Sequence, residues 1–167
     1  MTLYVLDTSV LIAHFLKEPV GTQVAELMSD PTGEVAVCVV TWLELEGKLR
    51  EKGVSLQDRT NILEAYHSVI PIQLIVDGDV VARALQLRAE ARSRLPAMDA
   101  LIAACAQAYD VVLVHNDKHF DAIPSSLLKC WHLPGANPFG YLSSVVPPVV
   151  REKKASYKIR RKRKAAQ

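Results

Sequence analysis

Four carboxylates stand far apart in the chain, each beside a segment that reads as a strand end or an early helical turn: Asp7, Glu44, Asp99 and Asp117. Asp7 closes the run Leu3-Tyr4-Val5-Leu6, and Asp117 follows Val111-Val112-Leu113-Val114. Glu44 sits one turn into a helix that follows the apolar strand Val35 to Val40, and Asp99 opens the helix Asp99-Ala100-Leu101-Ile102-Ala103-Ala104. Ligands of open α/β sheets bind outside the carboxyl ends of the strands, so a parallel sheet would gather the four acids into one cleft. Clustered carboxylates without counter-charges repel one another, and such a cleft calls for a cation. Hard divalent ions such as Mg²⁺ or Mn²⁺ take carboxylate oxygens and water. In phosphoryl chemistry they neutralise the scissile phosphate and lower the pKa of a bound water. The expected chemistry is metal-dependent hydrolysis of a phosphodiester, with Asp7, Glu44, Asp99 and Asp117 as metal ligands and catalytic residues, and with no nucleophilic side chain required. A single Asp at a strand end is weak evidence, because Asp is also a common cap; the set of four carries the reading.

Positioning such a set takes alternating strands and helices, and the patterns alternate throughout, which predicts βαβ units on a parallel sheet. The first strand is expected at Thr2 to Leu6, the second at Glu34 to Val40, a short third at Ile72 to Val76, a fourth at Val111 to His115 and a short fifth at Leu127 to Trp131. Helices are expected over Ser9–Leu16, Val20–Ser29, Thr41 (as cap) to about Glu51, Ser55 to about Val69, Val80 to about Ala91 and Met98–Ala108. Ser55 with Asp58 three residues on resembles a capping box. The fold class predicted is α/β: a three-layer α/β/α domain over residues 1–133 with a central parallel sheet of four or five strands. Residues 134–150 carry Pro134, Gly135, Pro138, Gly140, Pro147 and Pro148 and read as a linker. Residues 151–167 form a basic tail.

With 167 residues the chain suffices for one domain with a single core. The three cysteines, Cys38, Cys105 and Cys130, are an odd number set among apolar residues and read as buried reduced thiols. No apolar run reaches the length of a membrane span, and the N-terminus lacks the pattern of a secretory signal; a cytoplasmic setting is expected. The net charge of +2 conceals an asymmetry: residues 151–167 hold nine Lys or Arg and one Glu, a charge of +8, so the remainder carries −6. The run Lys158-Ile159-Arg160-Arg161-Lys162-Arg163-Lys164 should be disordered alone through self-repulsion. Lys158, Arg160, Arg161, Lys162, Arg163 and Lys164 could add salt-sensitive, sequence-independent affinity for RNA or DNA. A solvated tail with no dedicated role, or a localisation signal, are the alternatives.

Four segments in order resemble the acidic motifs of the PIN-domain family of metal-dependent nucleases, and most closely those of the VapC-type toxins of toxin–antitoxin pairs. They are Leu6-Asp7-Thr8-Ser9-Val10-Leu11-Ile12, Thr41-Trp42-Leu43-Glu44-Leu45-Glu46-Gly47, Met98-Asp99-Ala100-Leu101-Ile102-Ala103-Ala104 and His115-Asn116-Asp117-Lys118-His119-Phe120. The resemblance spans roughly residues 2 to 133. It implies an endoribonuclease dependent on Mg²⁺ or Mn²⁺, with an RNA substrate, a cognate antitoxin that masks the cleft, and frequent homodimers. It implies that Thr8 or Ser9 orients Asp7 or a metal-bound water, and that Asn116 is a supporting or phosphate-contacting amide. His115 departs from the family, which often has Thr or Ser there, and the segment from Pro134 onward has no counterpart in the compact toxins.

Neighbouring residues have ordinary readings. Glu46 is expected to face solvent, Asp77, Asp79 and Asp121 to cap, and His119 to pack or lie on the surface; Cys130 and His132 alone do not make a zinc site. Trp42 and Phe15 are expected in a core or interface. Two rival functions remain: a non-catalytic PIN-like RNA-binding or assembly protein, and a phosphatase with a strand-end Asp nucleophile. Ser9 stands where the phosphatase would often have a second Asp.

Overall fold

The computed structural model describes residues 2–31 and 33–135. Among the described residues five short, largely apolar strands pair in parallel at the centre: β1 (Thr2–Leu6), β2 (Gly33–Cys38), β3 (Ile72–Leu74), β4 (Val112–His115) and β5 (Cys130–His132). Their order across the sheet is β3-β2-β1-β4-β5. Six α-helices connect them: α1 (Thr8–Phe15), α2 (Pro19–Ser29), α3 (Val39–Glu51), α4 (Leu56–Val69), α5 (Gly78–Glu90) and α6 (Ala97–Ala108). A 3-10 helix (Lys118–Ala122) lies between β4 and β5.

Side chains of successive strand residues point to opposite faces, and both faces of this sheet are apolar, as a sheet covered on both sides requires. Leu3 and Val5 of β1, with Ala36, Cys38, Ile72, Leu74 and Leu113, pack against α5 and α6. Tyr4 and Leu6, with Val35, Val37, Val112 and Val114, pack against α1, α2, α3 and α4. The result is the expected three-layer α/β/α architecture, with the fifth strand present. The small residues of α6, Ala100, Ala103, Ala104 and Ala106, are all buried, so this helix sits close to the sheet.

Local signals set most boundaries. Ser55 accepts the Asp58 amide at 3.2 Å and its hydroxyl donates to Asp58 Oδ2 at 2.6 Å, so the Ser-x-x-Asp pair caps α4 through the Ser55 side chain. Asp77 caps α5 by accepting from the Val80 amide at 3.1 Å, and Asp79 pairs with Arg83. Several boundaries differ from expectation: β3 stops at Leu74 and not Val76, and α5 starts at Gly78 and not Val80. The second strand stops at Cys38, and Val39 and Val40 form the first turn of α3, so Thr41 is a buried residue inside the helix and not its cap. Tertiary packing overrides the β preference of the two valines. The fifth strand begins at Cys130, where its register with β4 starts (Leu113 opposite Cys130), leaving Leu127 in a turn that accepts a bond from Gln107.

Helices α1 and α2 meet at Gly21, where a Cβ would lie 2.7 Å from His14 Cα and 2.8 Å from the Ala13 carbonyl oxygen. On its other side α1 is tied to α4: Tyr66 donates its hydroxyl to the Leu11 carbonyl at 3.1 Å and lies 2.7 Å from His14 Nδ1. The three cysteines are free thiols, Cys38 and Cys105 fully buried with sulfurs 2.9 Å apart. Trp42 is half-buried and stacks on His67 with ring centroids 4.2 Å apart, and Phe15 is packed against the core. The basic residues 158–164 and the expected linker beyond Gly135 lie outside the described residues.

Candidate active site

The chain runs from β1 outward through β2 to β3, then returns to the other side of β1 to place β4. That reversal opens a crevice at the carboxyl ends of β1 and β4, where open α/β sheets take their ligands. Asp7 leaves the end of β1 and is the N-cap of α1: its Oδ2 accepts from the Ser9 amide at 2.8 Å. Asp117 lies just past the end of β4 and caps the 3-10 helix, its Oδ1 accepting from the His119 amide at 2.8 Å. Glu44 comes from the second turn of α3, and Asp99 from the first turn of α6, where a carboxylate suits the helix dipole. The four acids line one cleft of about 130 Å³, together with Thr8, Ser9, Ile12 and Lys48. Capping and convergence coexist here, because a cap uses only one carboxylate oxygen.

The supporting contacts are specific. Thr8 donates its hydroxyl to Glu44 Oε2 at 2.6 Å, joining the start of α1 to α3. Ser9 contributes its amide to Asp7, and its hydroxyl accepts from the Asn116 amide at 2.9 Å, joining α1 to the segment after β4. Orientation of Asp7 therefore comes from Ser9, through its main chain and its hydroxyl, while the Thr8 hydroxyl serves Glu44. Asn116 is exposed, and the contact it makes here is through its main chain.

Charge in the cleft is unbalanced. Asp7 and Asp99 are buried, at 3% and 7% exposure. Burial pushes the Asp7 carboxyl up to about 7, against the hydrogen bonds from Ser9 and with the help of the charges on Glu44 and Asp99. Burial also pushes Asp99 up to about 6, again reinforced by Glu44 and Asp117 and opposed by His119. Asp99 Oδ2 is enclosed without a well-directed hydrogen bond; His119 Nδ1 stands 3.1 Å from it and 3.2 Å from Asp117 Oδ1. Among the described residues Lys48 is the one Lys or Arg in the lining, and its ammonium sits 3.4 Å from Glu51, outside the acid cluster. One ligand atom each from Asp99, Asp117 and His119 falls within a 4.8 Å group, a spacing a metal ion can bridge.

Two participants were not legible as such in the sequence. His119, expected to pack or lie on the surface, bridges two of the acids. Lys48 reaches the cleft because it lies four residues after Glu44, on the same face of α3; that spacing was the available signal. Glu46, expected to face solvent, is part-buried and pairs with Arg59 at 2.8 Å. His115 is buried, and burial first, then the neighbouring His132, push its imidazole down to about 4.

Comparison with known proteins bears on the fold and the family. Solved structures with the same fold include a chain of VapBC2 from Rickettsia felis bound to a DNA fragment from their promoter, with TM-score 0.63 and 21% identity over 78% of this chain and 99% of that one. Another is DNA-bound VapBC from Salmonella typhimurium, with TM-score 0.62 and 21% identity over 79% and 98%. A third is VapBC-5 from Mycobacterium tuberculosis, a member of the VapBC family of toxin–antitoxin systems, with TM-score 0.57 and 28% identity over 80% and 100%. No curated protein sequence matches. The family profile of the PIN domain matches residues 4–125, a span that holds all four acids and four of the five strands. This chain belongs to the PIN domain family.

Proposed function

We propose that the chain is a Mg²⁺- or Mn²⁺-dependent endoribonuclease, the toxin of a type II toxin–antitoxin pair, acting in the cytoplasm. The observation that carries the proposal is the convergence of Asp7, Glu44, Asp99 and Asp117 on one cleft in which, among the described residues, no Lys or Arg pairs with them. Membership of the PIN family and the likeness to chains of VapBC complexes support it.

The residues fit a hard divalent ion. All four acids present oxygens, the enclosed Asp99 Oδ2 lacks a directed partner, and Asp7 and Asp117 each commit one oxygen to a cap and keep the other. When bound, such an ion neutralises a scissile phosphate and lowers the pKa of water. Asp7 and Asp99 hold the position from the buried floor, and Glu44 and Asp117 from the walls. Thr8 fixes the Glu44 rotamer, and Ser9 couples Asp7 to the Asn116 main chain. His119 holds Asp99 and Asp117 together, and its protonated form supplies them a counter-charge. Lys48, at the exposed edge, offers a positive charge to the RNA backbone, and Asn116 an amide. Lys158, Arg160, Arg161, Lys162, Arg163 and Lys164 add salt-dependent affinity for the same polyanion. Residues 1–133 are taken as the nuclease domain, 134–150 as a linker and 151–167 as the tail.

A cognate antitoxin and a homodimer complete the reading. Among the described residues no helix is long and apolar enough to cross a membrane. The decisive experiment incubates a mixed RNA pool with the purified chain and Mg²⁺ or Mn²⁺, alongside EDTA and an Asp7→Asn variant. Metal-dependent products from the wild type alone are expected. RNA retention without products in every arm would favour the non-catalytic binding reading instead.

A further inference from the structure

A second cluster of metal-binding side chains lies at the same end of the sheet, one strand further out. β4 ends in His115 and β5 ends in His132, and the parallel register sets the two residues opposite each other. Their rings lie side by side, with centroids 4.7 Å apart and planes 37° apart. Asp121, from the 3-10 helix between the two strands, places Oδ1 3.2 Å from His132 Nδ1. One ligand atom from each of the three residues falls within 4.8 Å of the others. His115 is buried, while Asp121 and His132 are exposed, so the cluster has a fixed floor and an open mouth.

Three features go beyond proximity. His115 Nδ1 is 2.9 Å from the Asp117 carbonyl oxygen. A carbonyl can only accept, so Nδ1 carries the hydrogen and Nε2 the lone pair. Metal-ligating histidines are held in this way, by donating the other ring N–H to a carbonyl or carboxylate. Asp121 Oδ1 and His132 Nδ1, a hydrogen-bonded pair 3.2 Å apart, are already close enough to share one ion, since two ligands about 2.0–2.1 Å from a tetrahedral metal lie about 3.3 Å apart. The donor set is also unlike that of the cleft: two imidazoles and one carboxylate suit Zn²⁺ and its neighbours, whereas a set dominated by carboxylates suits Mg²⁺ and Mn²⁺.

We propose that His115, Asp121 and His132 form a second metal site, for Zn²⁺ or a similar borderline cation, with water in the remaining position. The site would tie together the ends of β4 and β5 and the 3-10 helix. It therefore brackets residues 116–120, the segment that carries Asp117 and His119, while leaving the Asp117 carboxylate to the cleft.

Zinc could also enter the cleft, so the test begins from a full-length Asp7→Asn, Asp99→Asn parent. Zn²⁺ alone is titrated by calorimetry in the presence of millimolar Mg²⁺. The parent is expected to retain one Zn²⁺ per chain. His132→Ala is expected to weaken that binding at least 100-fold, and Asp121→Asn about 10- to 100-fold. Both altered side chains are exposed, and metal-free melting of each variant checks that the fold persists. Co²⁺ in place of Zn²⁺ should give the intense visible absorption of a tetrahedral site in the parent and lose it in His132→Ala. A parent that binds no Zn²⁺, or equal affinity in the parent and both folded variants, would overturn the proposal.

Discussion

The floor and the walls of the acid cleft are built differently. Asp7 and Asp99 on the floor are buried, and their carboxyls are driven well above the ordinary carboxylate range. Glu44 and Asp117 on the walls are half-buried and keep contact with water. Glu44 takes a hydroxyl from Thr8, and Asp117 takes the His119 amide. The floor is where negative charge is least tolerated without a cation, and the walls are where a substrate can still be approached. On the proposed reading a cation would gain from this division: the buried pair would supply the electrostatic demand, and the half-buried pair would complete the coordination without sealing the site.

The comparison breaks most directly on activity. Asp7→Asn and Asp99→Asn should each reduce metal-dependent RNA cleavage by more than the roughly 100-fold that loss of a supporting group costs. Glu44→Gln should cost less than either, measured on the same RNA pool. Equal losses at all four positions would erase the distinction between floor and walls.

A second test is thermodynamic, and its sign is opposite to that of an ordinary salt-bridged acid. Asp7 and Asp99 hold protons more tightly folded than unfolded, so between about 4 and 7 the unfolded chain binds fewer protons. The contribution of these two acids to metal-free stability should therefore fall as pH rises from 4 to 7 and level off above it, while buried His115, pushed down to about 4, contributes in the opposite sense. The contribution of Asp7 is at most about 4 kcal/mol. Asp7→Asn should remove most of that slope and raise the metal-free melting temperature at pH 8 by about 5 °C or more. Adding Mn²⁺ should reverse the ranking, because only the wild-type folded state gathers the full ligand set. Urea melts in EDTA across the pH range would read both effects, and a pH dependence left unchanged by Asp7→Asn would contradict the burial argument.

Smaller effects sharpen the contrast. Thr8→Val leaves Glu44 Oε2 without its donor at 2.6 Å and should weaken Mn²⁺ binding about 10-fold while the fold persists. Ser55→Ala, at the α4 cap away from the cleft, should lower stability by about 1 kcal/mol and leave metal affinity unchanged. A change in metal affinity from the cap variant would mean that the cleft responds to general loosening and not to its own contacts.

Most of what places the floor was legible along the chain. Apolar runs ending in Asp7 and just before Asp117 mark strand ends, and the small-residue helix after Asp99 has only one way to pack. The family profile covers the same motifs. What sequence reasoning missed depends on contacts between distant segments. His119 looked ordinary because its role is defined by Asp99, twenty positions earlier. His132 and Cys130 do not point to His115 and Asp121 along the chain, since nothing in the sequence announces that β4 and β5 are neighbours in that register. The Val39–Val40 boundary was misplaced for a related reason: local β preference favours a longer strand, while packing of the helix that carries Glu44 decides otherwise.

The close approach at Gly21 places a limit on how this protein can vary. The atoms a new side chain would strike are the main chain of α1, which cannot swing aside as a flexible side chain would. On its far side the same helix is tethered by Tyr66. Even alanine at position 21 would have to displace the helix that begins at Asp7, so the room for drift in α2 is set by tolerances in the cleft and not by the surface on which that helix lies.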